Sequence, residues 1–488
     1  MRLTTIVILI ALLCGNAFPQ AKPIVEDKGN FGLHALNDSI IWHKYLESKN
    51  ELLLIGRNNI QLLDLTNFKV IETRPLDLSQ VQLRADDYDY KTWPISPDGR
   101  RIVLLGQKEA RIRSKTENKQ AAIVLDLLTG KQIALLEQPE RIHAASWSRN
   151  GKTLMTMDTE YVDIFTTKLS VSFWEGGTFA HRFSVNLENV TWIYLSNDGE
   201  RFFAASGKRK SFFGIKHVAD DDSIVRIWRT RTGELVKTIS VGDAEFHPKT
   251  REIEMTPDER FLVMVNKHKS ESSEHRLLAW EVNGGIKPIY QINPKPKIDD
   301  SRVVFSTDGE YFALDVGRNL QVYETETGRM KAELADVELP EGGWIDNQTL
   351  AGIDYKRKTY LLNAFDASTG RLLYQQKLDY ATTVYTSYSF SLDGDNESSV
   401  INYTVIRPHP TKRMFLTQGD QFVKIFDTHS GELLQTVVHP LIKTDSKGRS
   451  RMTHGKTIDS ADWSKDGMAL YVFSSNGQSV SLWKVIED

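Results

Sequence analysis

Ser196-Asn197-Asp198-Gly199, followed by residues 201–205 (Arg-Phe-Phe-Ala-Ala), by Arg226-Ile227-Trp228, by Thr232-Gly233 and by residues 235–239 (Leu-Val-Lys-Thr-Ile), decides the architecture. The opening tetrapeptide reads as a tight turn, because its aspartate can bond the local backbone and its glycine accepts positive φ. β-prone residues on either side make it a hairpin turn between a first and a second strand. Arg226 to Trp228 closes a third strand on a large apolar residue, and the Thr-Gly turn launches a fourth. The unit is a small antiparallel sheet.

The same unit recurs outward in both directions. Ser96-Pro97-Asp98-Gly99, Ser148-Arg149-Asn150-Gly151, Ser306-Thr307-Asp308-Gly309 and Ser464-Lys465-Asp466-Gly467 are near-copies of the turn, and Thr256-Pro257-Asp258-Glu259 is a variant. Third strands end on nine large apolar anchors: Leu63, Leu125, Trp174, Trp228, Trp280, Tyr323, Phe365, Phe426 and Trp483. A charged residue usually follows the anchor. In six copies glycine stands five residues on, at Gly130, Gly233, Gly285, Gly328, Gly370 and Gly431. Repeats of one four-stranded sheet at this spacing predict an all-β fold, a single large β-propeller of eight or nine blades spanning residues 40–488. Three copies have degenerate first turns, at residues 47–50, at Asp346-Asn347 and at residues 410–412.

Because the last repeat ends on its third strand just before the C-terminus, its fourth must come from elsewhere. Residues 22–39 are free to supply it, with 30–36 as the expected strand, so that an N-terminal strand in the last blade closes the ring. Ahead of them, residues 1–21 read as an export signal, with Arg2 before the apolar run 3–13 and small residues at Gly15, Ala17 and Ala21. The expected location is periplasmic or extracellular. The run is short for a membrane anchor, and no later stretch is apolar enough to span a bilayer, so the chain is not read as an integral membrane protein. Cys14 is the one cysteine and lies in the leader. Thiol catalysis, thiolate zinc sites and disulfides are therefore excluded from the mature chain.

The turns with Asp-Gly, the aromatic anchors followed by an acid, Thr325-Glu326-Thr327-Gly328 and Asp366-Ala367-Ser368-Thr369-Gly370 resemble WD-repeat-like propellers. The resemblance is to the secreted bacterial type, including the propeller of the Tol system. It implies a rigid disc used for binding. The Gly-His pair of eukaryotic WD repeats is missing here and no anchor is literally Trp-Asp, so the buried network built on those residues is not carried over.

No nucleophile elbow, metalloprotease helix or phosphate-cradling loop is found, and the 12 histidines show no ligand spacing. No catalytic residue and no cofactor is assigned. Asp393, Asp395 and Glu397, in a glycine-containing acidic loop, form a weak metal candidate, with a solvated turn as the bland reading. With 61 basic against 64 acidic residues the chain has no global pull toward nucleic acid, and none is expected as a partner.

The connections between second and third strands vary in length and are basic in four repeats: Arg111 and Arg113; Lys208, Arg209 and Lys210; Lys267 and Lys269; Lys356, Arg357 and Lys358. Phe212 and Phe213 lie beside the second group. Propeller topology gathers these connections on one face, which predicts a partner surface for another protein or an anionic polymer. Solvated charge is the competing reading. The leading expectation is thus a non-catalytic secreted or periplasmic interaction scaffold. The alternative is a propeller hydrolase or lactonase with a metal in the central channel, which needs several carboxylates on inner strands.

Overall fold

The computed structural model describes residues 23–32, 40–46, 49–56, 58–76, 95–112, 115–136, 142, 144–161, 167–188, 190–212, 215–240, 246–268, 275–293, 303–316, 319–337, 343–356, 359–378, 384–388, 398–402, 405–419, 422–438, 458–474 and 479–486. Among them there are strands and turns and no helix. Residues 1–22, with the expected export signal and Cys14, lie outside the described residues.

Nine antiparallel blades follow one another, each a meander of strands a to d. Seven contain four regular strands; in blades 2 and 7 strand a shrinks to the isolated bridges Ile95–Ile102 and Trp344–Leu350. The count settles at nine rather than eight. Ring closure is visible in the packing. There are nine clusters of buried apolar side chains, and each lies between two consecutive blades. One of them joins Leu52 and Leu54 of blade 1 to Ala469 and Leu482 of blade 9. A disc has no single core; its stability is summed over blade–blade contacts.

The ninth blade is completed by the chain's beginning. Val25–Phe31 pairs antiparallel with Val480–Val485 as strand d, with a bulge between Asp27 and Gly29. The strand therefore starts earlier than the expected 30–36, of which Asn30 and Phe31 pair and 33–36 fall outside the described residues. Its position is fixed from blade 8: Gln435 Oε1 accepts from Ile24 N at 2.7 Å and Val25 N at 2.8 Å, while its Nε2 donates to Val25 O. A neighbouring blade's glutamine sets this register, so local sequence could not show it.

Eight of the nine anchors are buried, and Phe365 is half-buried. In seven blades the c–d pairing shifts by one residue at the anchor, a β-bulge. The acid after it caps the following turn: Asp366 Oδ1 accepts from Ser368 N and Thr369 N, and Asp427 Oδ1 from His429 N and Ser430 N. For Asp366 the Ser368 hydroxyl, and then Thr369, outweigh burial and hold the carboxyl below its ordinary range.

Glycine in the c–d turn has two reasons. Gly328 has φ +67°, and a Cβ there would lie 2.4 Å from Cδ2 of Tyr290 in strand d of the preceding blade. Gly431 meets Tyr374 in the same way. Gly285 departs from the pattern: it is absent from the positive-φ glycines, and the connection in blade 5 turns instead through Gly284 N to Glu281 O at 3.0 Å.

The a–b turns form a second stereotyped cage. Ser196 Oγ donates to Asp198 Oδ1 and accepts from Arg201 N, while Asp198 Oδ1 also accepts from Glu200 N. The cage recurs at Ser96, Thr256, Ser306 and Ser464. In degenerate blade 8 His409 takes the serine's place: its Nδ1 accepts from Thr411 N and Lys412 N, leaving Nε2–H for Gly467 O at 2.8 Å.

Candidate functional site

A four-stranded meander puts its a–b and c–d turns at one end and its b–c and d–a connections at the other. The disc accordingly has a turn face of short caged turns and an opposite, insertion face.

On the insertion face the blades differ. Strands b and c of blade 1 have 6 residues each, as do those of blade 6. In blade 2 they are Arg101–Ile112 and Lys115–Asp126, 12 residues each. In blade 3 they have 9 each, and in blade 4 Arg201–Phe212 and Ile215–Arg229 have 12 and 15. In blades 2 and 4 the expected variable loops are thus replaced by β-ribbons. The second strand of blade 4, read from the sequence as residues 201–205, runs on to Phe212, and that of blade 2 runs to Ile112. In blade 2 the ribbon forms because residues 106–112 pair one for one with 115–121, although few of them are apolar.

This places several of the predicted residues. Arg111 pairs with Thr116 near the ribbon tip of blade 2. In blade 4 Lys208 pairs with Ala219, Arg209 with Val218, Lys210 with His217 and Phe212 with Ile215. A register shift after Ser206 leaves Asp220, Asp221, Asp222 and Ser223 without a partner in strand b. Lys267 pairs with His247 and His275 in blade 5, and Lys356 with Thr359 in blade 7. Arg113, Phe213, Lys269, Arg357 and Lys358 lie outside the described residues. So do Asp393, Asp395 and Glu397, which fall between the strands Val384–Tyr388 and Ser398–Asn402 of an extra hairpin joining blades 7 and 8. The basic groups belong to separate blades, and the backbone brings no two of them into one sheet.

Among the described residues no three His, Cys, Asp or Glu side chains come close enough to hold a metal ion. On the inner strands Asp462 lies 3.9 Å from Arg407 Nε, and burial holds its carboxyl above the usual range against the arginine's pull. Among these residues no helix is long and apolar enough to cross a membrane.

A concavity that the sequence did not announce lies on the turn face. A cleft of about 630 Å³ opens across blades 3, 4 and 5. Lys152, Arg182, Arg201, Arg229, Arg231 and Lys237 line it, with Asp198 and Glu200. Several of these cations are held in place. Arg182 Nη1 donates to Thr153 Oγ1 at 3.0 Å, and Arg201 Nη1 to Asn283 Oδ1 at 2.7 Å. Lys237 Nζ points into backbone carbonyls, the nearest being Gly284 O at 2.9 Å. Burial lowers the Lys237 ammonium from the usual lysine range, against the field of Glu281. Asp198 is occupied by its turn: burial raises its carboxyl, but Ser196 Oγ–H, Glu200 N–H and Arg201 outweigh it and the net shift is downward. The floor is fixed by Gly199 O, which accepts from Thr153 Oγ1 at 2.8 Å and from Thr230 Oγ1. Positions from 152 to 284 contribute, so only the excess of Arg and Lys around the turns of these blades could have signalled the cleft.

No family model matches the sequence, and no curated protein does. Solved structures are similar in fold. A crystal structure described as that of the eukaryotic initiation factor shares 14% identity over 87% of this chain and 91% of its own, with a TM-score of 0.51. The Dos1 propeller shares 13% over 95% and 96%, with a TM-score of 0.43. The C-terminal WD40 domain of Sif2 shares 9% over 95% and 99%, at 0.42. At these identities the likeness concerns the fold alone. The chain has a WD-repeat-like β-propeller fold of nine blades.

Proposed function

We propose that the protein is an exported, non-catalytic binding scaffold whose insertion face receives another protein or an anionic polymer. The observation that supports this reading is the contrast within the ring: six-residue strands in blades 1 and 6, and ribbons of up to 12 and 15 residues in blades 2 and 4. A two-stranded polar ribbon adds little to any core and is marginal by itself. Projecting from a rigid ring, it gains its use from contact with a partner. Arg111, Lys208, Arg209 and Lys210 give these ribbons a basic character that would favour an acidic surface. Export rests on residues 1–21, read as a leader with Arg2 before the apolar run 3–13.

The test is retention of partners from envelope fractions on immobilised protein. Replacing Lys208, Arg209 and Lys210 together with serine is expected to lower retention while leaving the melting temperature unchanged. Undiminished retention of every companion removes the basic ribbon from the reading. Recovery of the full chain, leader intact, from the cytosol would remove the export part.

A further inference from the structure

The cleft on the turn face lies opposite the proposed partner surface and is built differently. It is concave, formed by caged turns, and lined by six cations. The carboxylates at or beside it number four: Asp198 and Glu200 in the wall, Glu234 paired with Arg229 at 2.8 Å, and Glu281 acting on Lys237. Within the lining itself six cations face two carboxylates, so positive charge is in surplus on the wall of the cleft. Among the described residues, the Lys152 ammonium and the Arg231 guanidinium make no hydrogen bond or ion pair, and Lys152 bonds only through its backbone, as from its N to Asn150 Oδ1.

Three features favour an anion as the occupant. The partners of Arg182, Arg201 and Lys237 are neutral oxygens, a hydroxyl, an amide and carbonyls, which position the side chains without cancelling their charge. Each guanidinium keeps further N–H groups in a planar fork suited to carboxylate or phosphate oxygens. The size suits a small molecule: about 630 Å³ falls within the range of ligand sites. Ile227 and Val236 supply an apolar wall for the organic part of such a ligand.

We infer that this cleft binds a small polyvalent oxyanion, a molecule carrying two or more phosphate or carboxylate groups. Arg182 and Arg201 clamp the anionic groups, Lys152 and Arg231 close over them from the rim, and Lys237 supplies charge from the floor. Binding would add a bridge across blades 3, 4 and 5 beside the hydrogen bonds from Thr153 to Gly199 O and from Lys237 to Gly284 O that already join them.

Calorimetric titration of the mature protein with sodium triphosphate, and separately with citrate, at fixed ionic strength tests the inference. The expected result is saturable binding of at least one of them at a single site, weakening as salt rises. Binding of triphosphate alone assigns a phosphate ligand, and binding of citrate alone a carboxylate ligand. The double variant Lys152→Gln, Arg231→Gln removes two side chains that tie nothing together, and is expected to weaken binding by about tenfold or more with an unchanged melting temperature. The serine triple variant at 208, 209 and 210 on the other face should bind as the wild type does. The inference is overturned if neither anion binds, if the double variant binds as tightly as wild type, or if the triple variant loses as much affinity as the double.

Discussion

The two faces of the disc are made from the same nine blades and obey different rules. On the turn face the a–b cages repeat the same hydrogen bonds from Ser96 round to Ser464, and even blade 8 reproduces the geometry with a histidine. On the insertion face the connection of strands b and c ranges from two residues between Gly56 and Asn59 to a ribbon from Arg201–Phe212 into Ile215–Arg229. A turn that must present strand b to the neighbouring blade has little freedom. A connection that leaves the packed layer has a great deal. Variation gathers where it costs no blade–blade contact.

The largest effect should come from opening the ring that both faces share. A chain beginning at residue 39 loses strand d of blade 9, with Val25 at 2% exposure and the pairing to Val480–Val485. We expect a loss of at least about 3 kcal/mol and an exposed strand edge prone to association. Unchanged melting with no association would show that the strand is dispensable.

Acidification should come next. His43 stacks on Phe473 at 3.6 Å between ring centroids, and burial lowers its pKa to about 4. Burial, then the Lys412 charge, lowers that of His409, against the pull of the Gly467 carbonyl and Asp466. Each folded-state value lies below the unfolded one, so the folded chain binds fewer protons. For His43 the stabilisation is complete above about pH 6.5 and is lost as pH falls toward 4, and His409 acts in the same direction. For His43 it is on the order of 3 kcal/mol. Melting at pH 7 and pH 5 checks the sign, and His43→Phe should shrink the difference between them.

Within the turn face, two glycines separate backbone conformation from packing. Gly130 and Gly328 both have φ +67°, but a Cβ at Gly130 would meet nothing within 4 Å. Gly130→Ala should cost about 1–2 kcal/mol for the left-handed backbone alone. Gly328→Ala should cost a further 1–3 kcal/mol or so, because the Tyr290 ring, fixed by its hydroxyl to Thr325 O at 2.7 Å, stands in the way. Equal costs in chemical denaturation would refute the packing role. The smallest effect belongs to the insertion face: serine at 208, 209 and 210 should change stability by no more than about 0.5 kcal/mol.

How far each feature could be read in advance follows the distance over which it is determined. The nine anchors and the Ser-x-Asp-Gly turns were legible because their bonds close within five residues, as from Ser196 to Arg201. The missing fourth strand of blade 9 was legible as a deficit. Its register was not, since Gln435 is 410 positions from Val25. The basic groups at Arg111 and Lys208 were visible as composition, yet their place on ribbons depends on cross-strand pairing that polar residues do not signal by alternation.

The sequence by itself therefore determined the repeating blade, its approximate number and the chemistry of its turns, because each is an arrangement of near neighbours along the chain. Tertiary structure alone decided that b and c continue as ribbons, that Val25–Phe31 is the closing strand, and that Lys152, Arg182 and Lys237 share one cleft. Those outcomes depend on how one sheet stacks against the next. That stacking brings together residues which no local pattern relates.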